Sequence, residues 1–130
     1  FRHAIDVAAR LGAARSDEWF AGAGTSLGQL GRYEDAIEFM DHAVELRPEE
    51  PKHYCNRGWI RHLAGDSPGA LVDLNRAIDL NPAYAKAIHN RAVARIATGD
   101  NAGALTDYAR LRQLGHPVDA EMAALEKTSR

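Results

Sequence analysis

The side chains able to perform acid–base, nucleophilic or metal chemistry are scattered along this 130-residue chain. None of the six histidines forms a His-x-x-x-His pair, the spacing that places two ligands on one helical turn. A metal site built from distant histidines, such as His62 with His89, is the alternative. Cys55 is the single cysteine, so we expect a small buried side chain and not a nucleophile. The sequence therefore predicts no enzyme active site, no metal site and no cofactor.

The charge balance and hydropathy exclude further classes of function. Sixteen Lys and Arg residues face eighteen Asp and Glu residues, so the net charge gives no reason to expect nucleic acid as a partner. No apolar run approaches the roughly 20 residues that a membrane helix needs, so we expect no membrane insertion. The chain opens at Phe1 inside a predicted helix, without an initiator Met. We interpret it as an excised fragment or a mature segment.

The chain repeats itself with a period of 34 residues. Small residues recur in step, namely Gly24, Gly58 and Ala92, then Gly31, Gly65 and Gly99, then Ala36, Ala70 and Ala104. Each repeat unit is predicted to be two helices with a Gly-containing break between them, because its apolar residues have helical spacing. The small side chains would let the two helices of a unit approach closely.

This pattern resembles the tetratricopeptide repeat, a helix–turn–helix unit of about 34 residues. The resemblance covers about residues 17–117 and implies an all-α fold, a right-handed solenoid of antiparallel helix pairs. We expect an N-terminal helix, a truncated repeat or a cap, at 1–16, repeats at 17–50, 51–84 and 85–118, and a capping helix at 119–130. No segment has the alternation of a strand. The high ratio of Arg to Lys and the abundant Ala favour a bacterial gene.

Two arginines depart from the family pattern, which has an aliphatic residue at their position. Arg57 lies 16 residues before Asp73, and Arg91 lies 16 residues before Asp107. The first unit has uncharged residues at both places. We therefore predict that an Arg–Asp ion pair joins the two helices of each later unit. A basic patch for an anionic ligand is the alternative.

In a stack of helix pairs the first helices line the concave side. Helical spacing assigns the inward side chains of the first unit to Glu18, Ala21, Gly22, Thr25 and Gln29. Those of the second unit are Lys52, Cys55, Asn56, Trp59 and His62. Those of the third unit are Lys86, His89, Asn90, Val93 and Ile96.

This inward face has the chemistry of a peptide-binding groove. Asn56 and Asn90 lie one repeat apart, and an amide can both donate to and accept from a peptide backbone. Lys52 and Lys86 also lie one repeat apart and favour an acidic segment or a C-terminal carboxylate. Trp59 is the kind of aromatic anchor that is enriched in binding hot spots. We therefore predict a non-enzymatic scaffold that binds a protein or peptide segment. The alternatives are purely structural roles for these side chains, a recruiting arm of a larger enzyme, and assembly into a homo-oligomer.

The resemblance also implies a test for one kind of partner. Some members of the family hold the acidic C-terminal tails of heat-shock chaperones with a carboxylate clamp of Lys, Asn, Asn, Lys and Arg. Asn56 and Lys86 fall on clamp positions. Ala21 and Thr25 stand where the first Lys and Asn belong, and Asn90 replaces the Arg. We therefore expect no clamp-type chaperone binding.

Overall fold

A computed structural model describes residues 16–128 of the chain. Helices and no strands make up the regular structure of this range, so the predicted all-α class is confirmed. The helices are α1 (Asp17–Gln29), α2 (Tyr33–Leu46), α3 (Pro51–Leu63), α4 (Ser67–Leu80), α5 (Ala85–Ala97), α6 (Asn101–Gln113) and α7 (Asp119–Thr128). The N-terminal helix predicted for residues 1–16 lies outside the described residues, except for Ser16.

Four helices are followed by a glycine whose backbone adopts the left-handed conformation. Gly31, Gly65, Gly99 and Gly115 have φ of 78°, 92°, 85° and 92° and follow α1, α3, α5 and α6. A residue with a Cβ is strained at such angles, so glycine is favoured where the chain must reverse between two helices. The 34-residue recurrence of the first three glycines thus sets where each helix pair turns.

Aspartates cap the second helices of the two later units. The Asp66 carboxylate accepts a hydrogen bond of 2.9 Å from the Gly69 amide, so that α4 begins at Ser67. Asp100 caps α6 in the same way through the Gly103 amide, also at 2.9 Å. A side-chain cap satisfies one of the free amides of the first turn. The proline of the first turn of α4 has no amide hydrogen to satisfy.

The recurring small residues lie where the helices of a pair cross. A Cβ on Gly58 would approach Leu74 Cγ to 3.0 Å and the Ala70 carbonyl oxygen to 3.2 Å. A Cβ on Gly24 would meet Met40 Sδ at 2.9 Å. Because the glycines contribute no side chain at these crossings, α1 packs closely on α2 and α3 on α4.

Burial is shared between neighbouring helix pairs and does not centre on one core. The cluster around α1 and α2 includes Ile60 of α3, which is 4% exposed. The cluster around α5 and α6 includes Val118 and, on α7, Leu125. A further cluster joins α3 and α4 to Ala87 and Ala94 of α5. Each pair therefore depends on its neighbour to cover its apolar face. None of the described helices is long and apolar enough to cross a membrane.

Candidate functional site

The first helices of the three pairs lie side by side and share one groove. Within the described residues this groove holds a pocket of about 320 Å³ between α1, α3 and α5. Its lining residues are Thr25, Gly28, Gln29, Asn56, Trp59, Ile60, Leu63, Lys86 and Asn90. Equivalent positions of successive helix pairs line this pocket, because α1, α3 and α5 are related by the 34-residue period.

Four side chains of the predicted inward face of the second and third units meet in this pocket. They are Asn56, Trp59, Lys86 and Asn90. Asn56 and Trp59 are half-buried, and Lys86 is exposed. Neither the Asn56 amide nor the Lys86 ammonium has a hydrogen bond or ion pair within residues 16–128. Both groups can therefore bind a ligand without first losing an internal partner.

Cys55 and Ala21 do not face the groove as predicted. Cys55 is completely buried, and Ala21 is 3% exposed. The Cys55 sulfur lies 3.6 Å from Asn90 Nδ2 and accepts its hydrogen bond. Burial raises the pKa of the Cys55 thiol, and burial next to Cys55 raises the pKa of Tyr84 to about 12. Cys55 packs in the cluster that joins α3 and α4 to α5, and Ala21 packs in the cluster around α1 and α2, so both residues belong to the packing between helices.

Two other predicted groove residues have internal partners. Lys52 Nζ lies 2.9 Å from the Glu18 carboxylate of the preceding unit. His62 Nδ1 lies 3.0 Å from Ser67 Oγ, and the His62 ring packs against Trp59 at a centroid distance of 5.2 Å. Lys52 is thus neutralised, and His62 supports the wall that carries Trp59.

A second pocket, of about 350 Å³, continues from the first towards α7. Lys86 lines both pockets, and His89 lines the second together with Glu121. Val93 is half-buried and Ile96 is 40% exposed, and neither lines a described pocket. The accessible surface therefore passes Lys86 and extends beyond the third helix pair.

The prediction missed three residues of the first pocket, Gly28, Ile60 and Leu63. Leu63 follows Trp59 by four residues, so helical spacing alone could have indicated it. Ile60 and Gly28 belong to the seam between the first two helix pairs, where a Cβ on Gly28 would meet Ile60 Cγ1 at 3.2 Å. No periodic signal in the sequence marks this contact.

The Arg–Asp bridges expected from the 16-residue spacing are present in both later units. Arg57 donates two hydrogen bonds to the buried Asp73 carboxylate, from Nε at 3.0 Å and from Nη2 at 2.8 Å. Arg61 donates to the same carboxylate at 2.7 Å, and Arg57 also reaches Asp41 of the preceding unit at 3.0 Å. The bridge therefore joins successive units as well as the two helices of one unit.

The third unit repeats this arrangement around Asp107. Arg91 donates to the Asp107 carboxylate at 3.1 Å and 2.7 Å, and Arg95 donates to it at 2.8 Å. Arg91 also reaches back to Asn75 at 3.1 Å. Because these arginines are bound by internal acceptors, they do not form the free basic patch of the alternative hypothesis.

Asp17, Glu18 and His53 place three possible metal-ligating atoms within 4.8 Å of one another. Each acid already has a cationic or hydrogen-bonding partner. His53 Nε2 donates to Asp17 at 2.6 Å and lowers the pKa of that carboxyl, while Lys52 binds Glu18. Arg47 lies 3.9 Å from Asp17. Since two cations compensate the carboxylates, we assign this group to the contact between α1 and α3 and place no metal there.

The fold and its small-residue crossings define a class of protein. Residues 21–50 match the tetratricopeptide repeat family. No curated protein sequence matches the chain. Several solved tetratricopeptide-repeat domains, however, share its fold over most of its length.

Three of these structures show the extent of the similarity. The first tetratricopeptide-repeat domain of Spaghetti (RPAP3), bound to the HSP90 peptide SRMEEVD, has a TM-score of 0.82 at 24% identity and covers 88% of this chain and 94% of that chain. The first domain of human RPAP3 has a TM-score of 0.80 at 25% identity, over 85% of this chain and 90% of that one. The Yersinia enterocolitica type III secretion chaperone SycD, in complex with a peptide of the translocator YopD, has a TM-score of 0.79 at 16% identity, over 87% and 94%. The chain thus has the fold of tetratricopeptide-repeat domains, a solenoid of helix pairs, as its sequence predicted.

Proposed function

We propose that this chain is a non-enzymatic scaffold that binds a segment of a partner protein in the groove between α1, α3 and α5. The observation that carries the proposal is the convergence of Asn56, Trp59, Lys86 and Asn90 on one pocket of about 320 Å³. Ligand pockets in proteins begin at about 300 Å³ and combine apolar walls with a few convergent polar groups. The pocket has both features.

The side chains of the pocket suit a peptide. The Asn56 amide can pair with both the N–H and the C=O of an extended backbone. Trp59 offers a large apolar surface that loses little conformational freedom on binding. Lys86 supplies one positive charge that no described residue neutralises. Together these groups can hold a backbone, an apolar side chain and an acidic group.

The solved structures support this proposal by analogy of fold. The Spaghetti domain is bound to an HSP90 peptide, and SycD is in complex with a YopD peptide. Fold analogy indicates what kind of surface is used, whereas the partner is set by the residues of the groove. The present groove has its own residues, so we propose no partner by name.

Affinity capture with a matched pair of double variants tests the proposal. Asn56→Ala with Lys86→Met alters the pocket at two side chains without internal partners. Gln113→Ala with Lys127→Met alters two exposed residues outside both pockets. Wild-type protein and both variants are immobilised and exposed to a lysate of the source organism, and the bound proteins are quantified by mass spectrometry.

We expect a protein that the wild type and the control variant capture equally and that the groove variant loses. Calorimetric titration with the captured protein should then show at least about tenfold weaker binding to the groove variant, the loss typical of a central contact. Equal capture by all three proteins would remove the groove from the function. Circular dichroism confirms that each variant is folded.

A further inference from the structure

We infer that the groove binds an internal, extended peptide segment that carries one large apolar side chain and one nearby acidic side chain. An acidic C-terminal tail is not the partner of this groove. The inference rests on the proposed function and specifies its ligand. It follows from the charges, the apolar wall and the open end of the first pocket.

The charges of the first pocket match one acidic group and no more. Lys86 is the one charged residue that lines the first pocket. The second lysine of the inward face, Lys52, is held by Glu18 at 2.9 Å. The arginines of α3 are bound to Asp73, and those of α5 are bound to Asp107. A C-terminal tail with acidic side chains brings at least two adjacent carboxylates. Since only one cation faces the pocket, the second carboxylate would lose water without gaining a partner.

The wall of the pocket beside the lysine is apolar. Trp59 and Leu63 line it, and Leu63 is 42% exposed although it is an aliphatic side chain. Ile60 lines the base of this wall but is only 4% exposed, because Gly28 packs against it: a Cβ there would lie 3.2 Å from Ile60 Cγ1. A ligand that buries a leucine or phenylalanine against these residues removes apolar surface from water on both partners.

The polar groups of the pocket favour a continuous backbone. The Asn56 amide is free to bind a peptide group. The Asn90 side chain is 7% exposed, and its bond to the buried Cys55 sulfur fixes the plane of the amide. Because Lys86 lines both pockets, the groove continues beyond the cation towards α7. A bound chain can therefore run past Lys86 and does not have to end there.

A peptide display library tests the inference. Random segments are displayed in two formats, one with constant sequence on both sides and one that ends in a free C-terminal carboxylate. Selection uses the immobilised chain. Binders are then synthesised with blocked termini and titrated against a Trp19→Phe protein, in which Trp59 is the one remaining tryptophan and reports on the groove by its fluorescence.

Matched variants locate the binding. Leu63→Gln alters the apolar wall, and its control is Val72→Gln, which replaces another exposed aliphatic residue outside both pockets. Lys86→Met removes the cation, and its control is Lys127→Met. We expect Leu63→Gln to weaken the selected peptides by about tenfold or more and Val72→Gln to leave them unchanged. Lys86→Met should weaken peptides that contain Asp or Glu and should leave their Asn or Gln versions unchanged.

The outcomes separate this inference from the proposed function. Flanked segments that share one large apolar residue and one acidic residue support the inference. Binders that come only from the free-carboxylate format, or that share no apolar residue, overturn it, while the groove remains the binding site if Leu63→Gln and Lys86→Met still weaken them. Binding that neither groove variant changes, or no enrichment in either format, overturns both the inference and the proposed function.

Discussion

Removing the carboxylate of Asp73 should strongly destabilise the second helix pair. Asp73 is 2% exposed and receives hydrogen bonds from Arg57 at 3.0 and 2.8 Å and from Arg61 at 2.7 Å. Asp73→Ala leaves two guanidinium groups around a buried cavity. Breaking a buried ion pair from one side costs about 3–5 kcal/mol. The side chains of Arg57 and Arg61 are 15% and 27% exposed and can recover some hydration. We therefore expect the unfolding free energy to fall by about 3 kcal/mol, at the lower end of that range.

The chain itself provides the matched control for this experiment. The first unit fills the equivalent three positions with apolar residues, namely Ala23, Leu27 and Phe39. A triple variant transfers these residues to the second unit, as Arg57→Ala, Arg61→Leu and Asp73→Phe. Replacing a buried charge cluster by packed apolar residues is often neutral or stabilising. We expect the triple variant to lie within about 1 kcal/mol of the wild type.

Urea unfolding followed by circular dichroism measures both variants, and the thermal midpoint of Asp73→Ala should fall by about 10 °C. The slope of the transition must be compared with that of the wild type, because arrays of repeats can unfold in stages. A loss below about 1 kcal/mol for Asp73→Ala would refute the destabilisation by unpaired charge. A triple variant as unstable as Asp73→Ala would show that the second unit needs the charges themselves.

Four further perturbations test the helix packing, the contact between α1 and α3, and the buried thiol. Gly22→Ala should raise the unfolding free energy by about 0.8 kcal/mol, because no atom lies within 4 Å of the added Cβ. Gly58→Val should lower the unfolding free energy by about 2 kcal/mol, because the added side chain overpacks the helix crossing. If urea titrations give the same change for Gly22→Ala and Gly58→Val, the close helix crossing is contradicted. The hydrogen bond from His53 lowers the pKa of Asp17, so the stabilisation from this carboxylate is present above its ordinary pKa and is lost as pH falls through the lowered value. Asp17→Asn should therefore flatten the decline of stability in acid, as measured by urea titrations at several pH values. Cys55 is fully buried with a raised pKa, so its modification by Ellman's reagent at neutral pH should be slow and should accelerate with urea; fast labelling of the native protein would contradict this burial.

Much of the fold could be predicted from local sequence signals. Several of these signals act within a few residues of the chain: the glycines that end α1, α3, α5 and α6, the proline or capping aspartate at the start of α3, α4 and α6, and the small residues of the crossings. Their repetition every 34 residues indicated stacked helix pairs. The start of α4 at Ser67 follows from a local signal of this kind, because the Asp66 side chain caps the amide of Gly69 three residues later.

The groove could be predicted only in part. Helical spacing places Asn56, Trp59 and Lys86 on the inward side, and the structure brings them to one pocket. The same spacing predicted that Cys55 lines the groove, which is wrong. Cys55 is buried because the neighbouring helix pair covers the edge of the inward face. The extent of this coverage depends on the rotation between successive helix pairs, and the residue spacing within one helix gives no information on that rotation.

The helices, their pairing and the 16-residue link between Arg57 and Asp73 can be inferred from the sequence alone, because each is repeated at a constant offset within a unit. The contacts that join one unit to the next depend instead on how the units stack. His53 meets Asp17 across 36 residues, and Lys52 meets Glu18 across 34 residues. These pairs give partners to side chains that the sequence alone leaves unassigned, and they exist because the stacking angle brings α1 and α3 together. The free charge of the groove is therefore a property of the assembled solenoid and not of any single repeat.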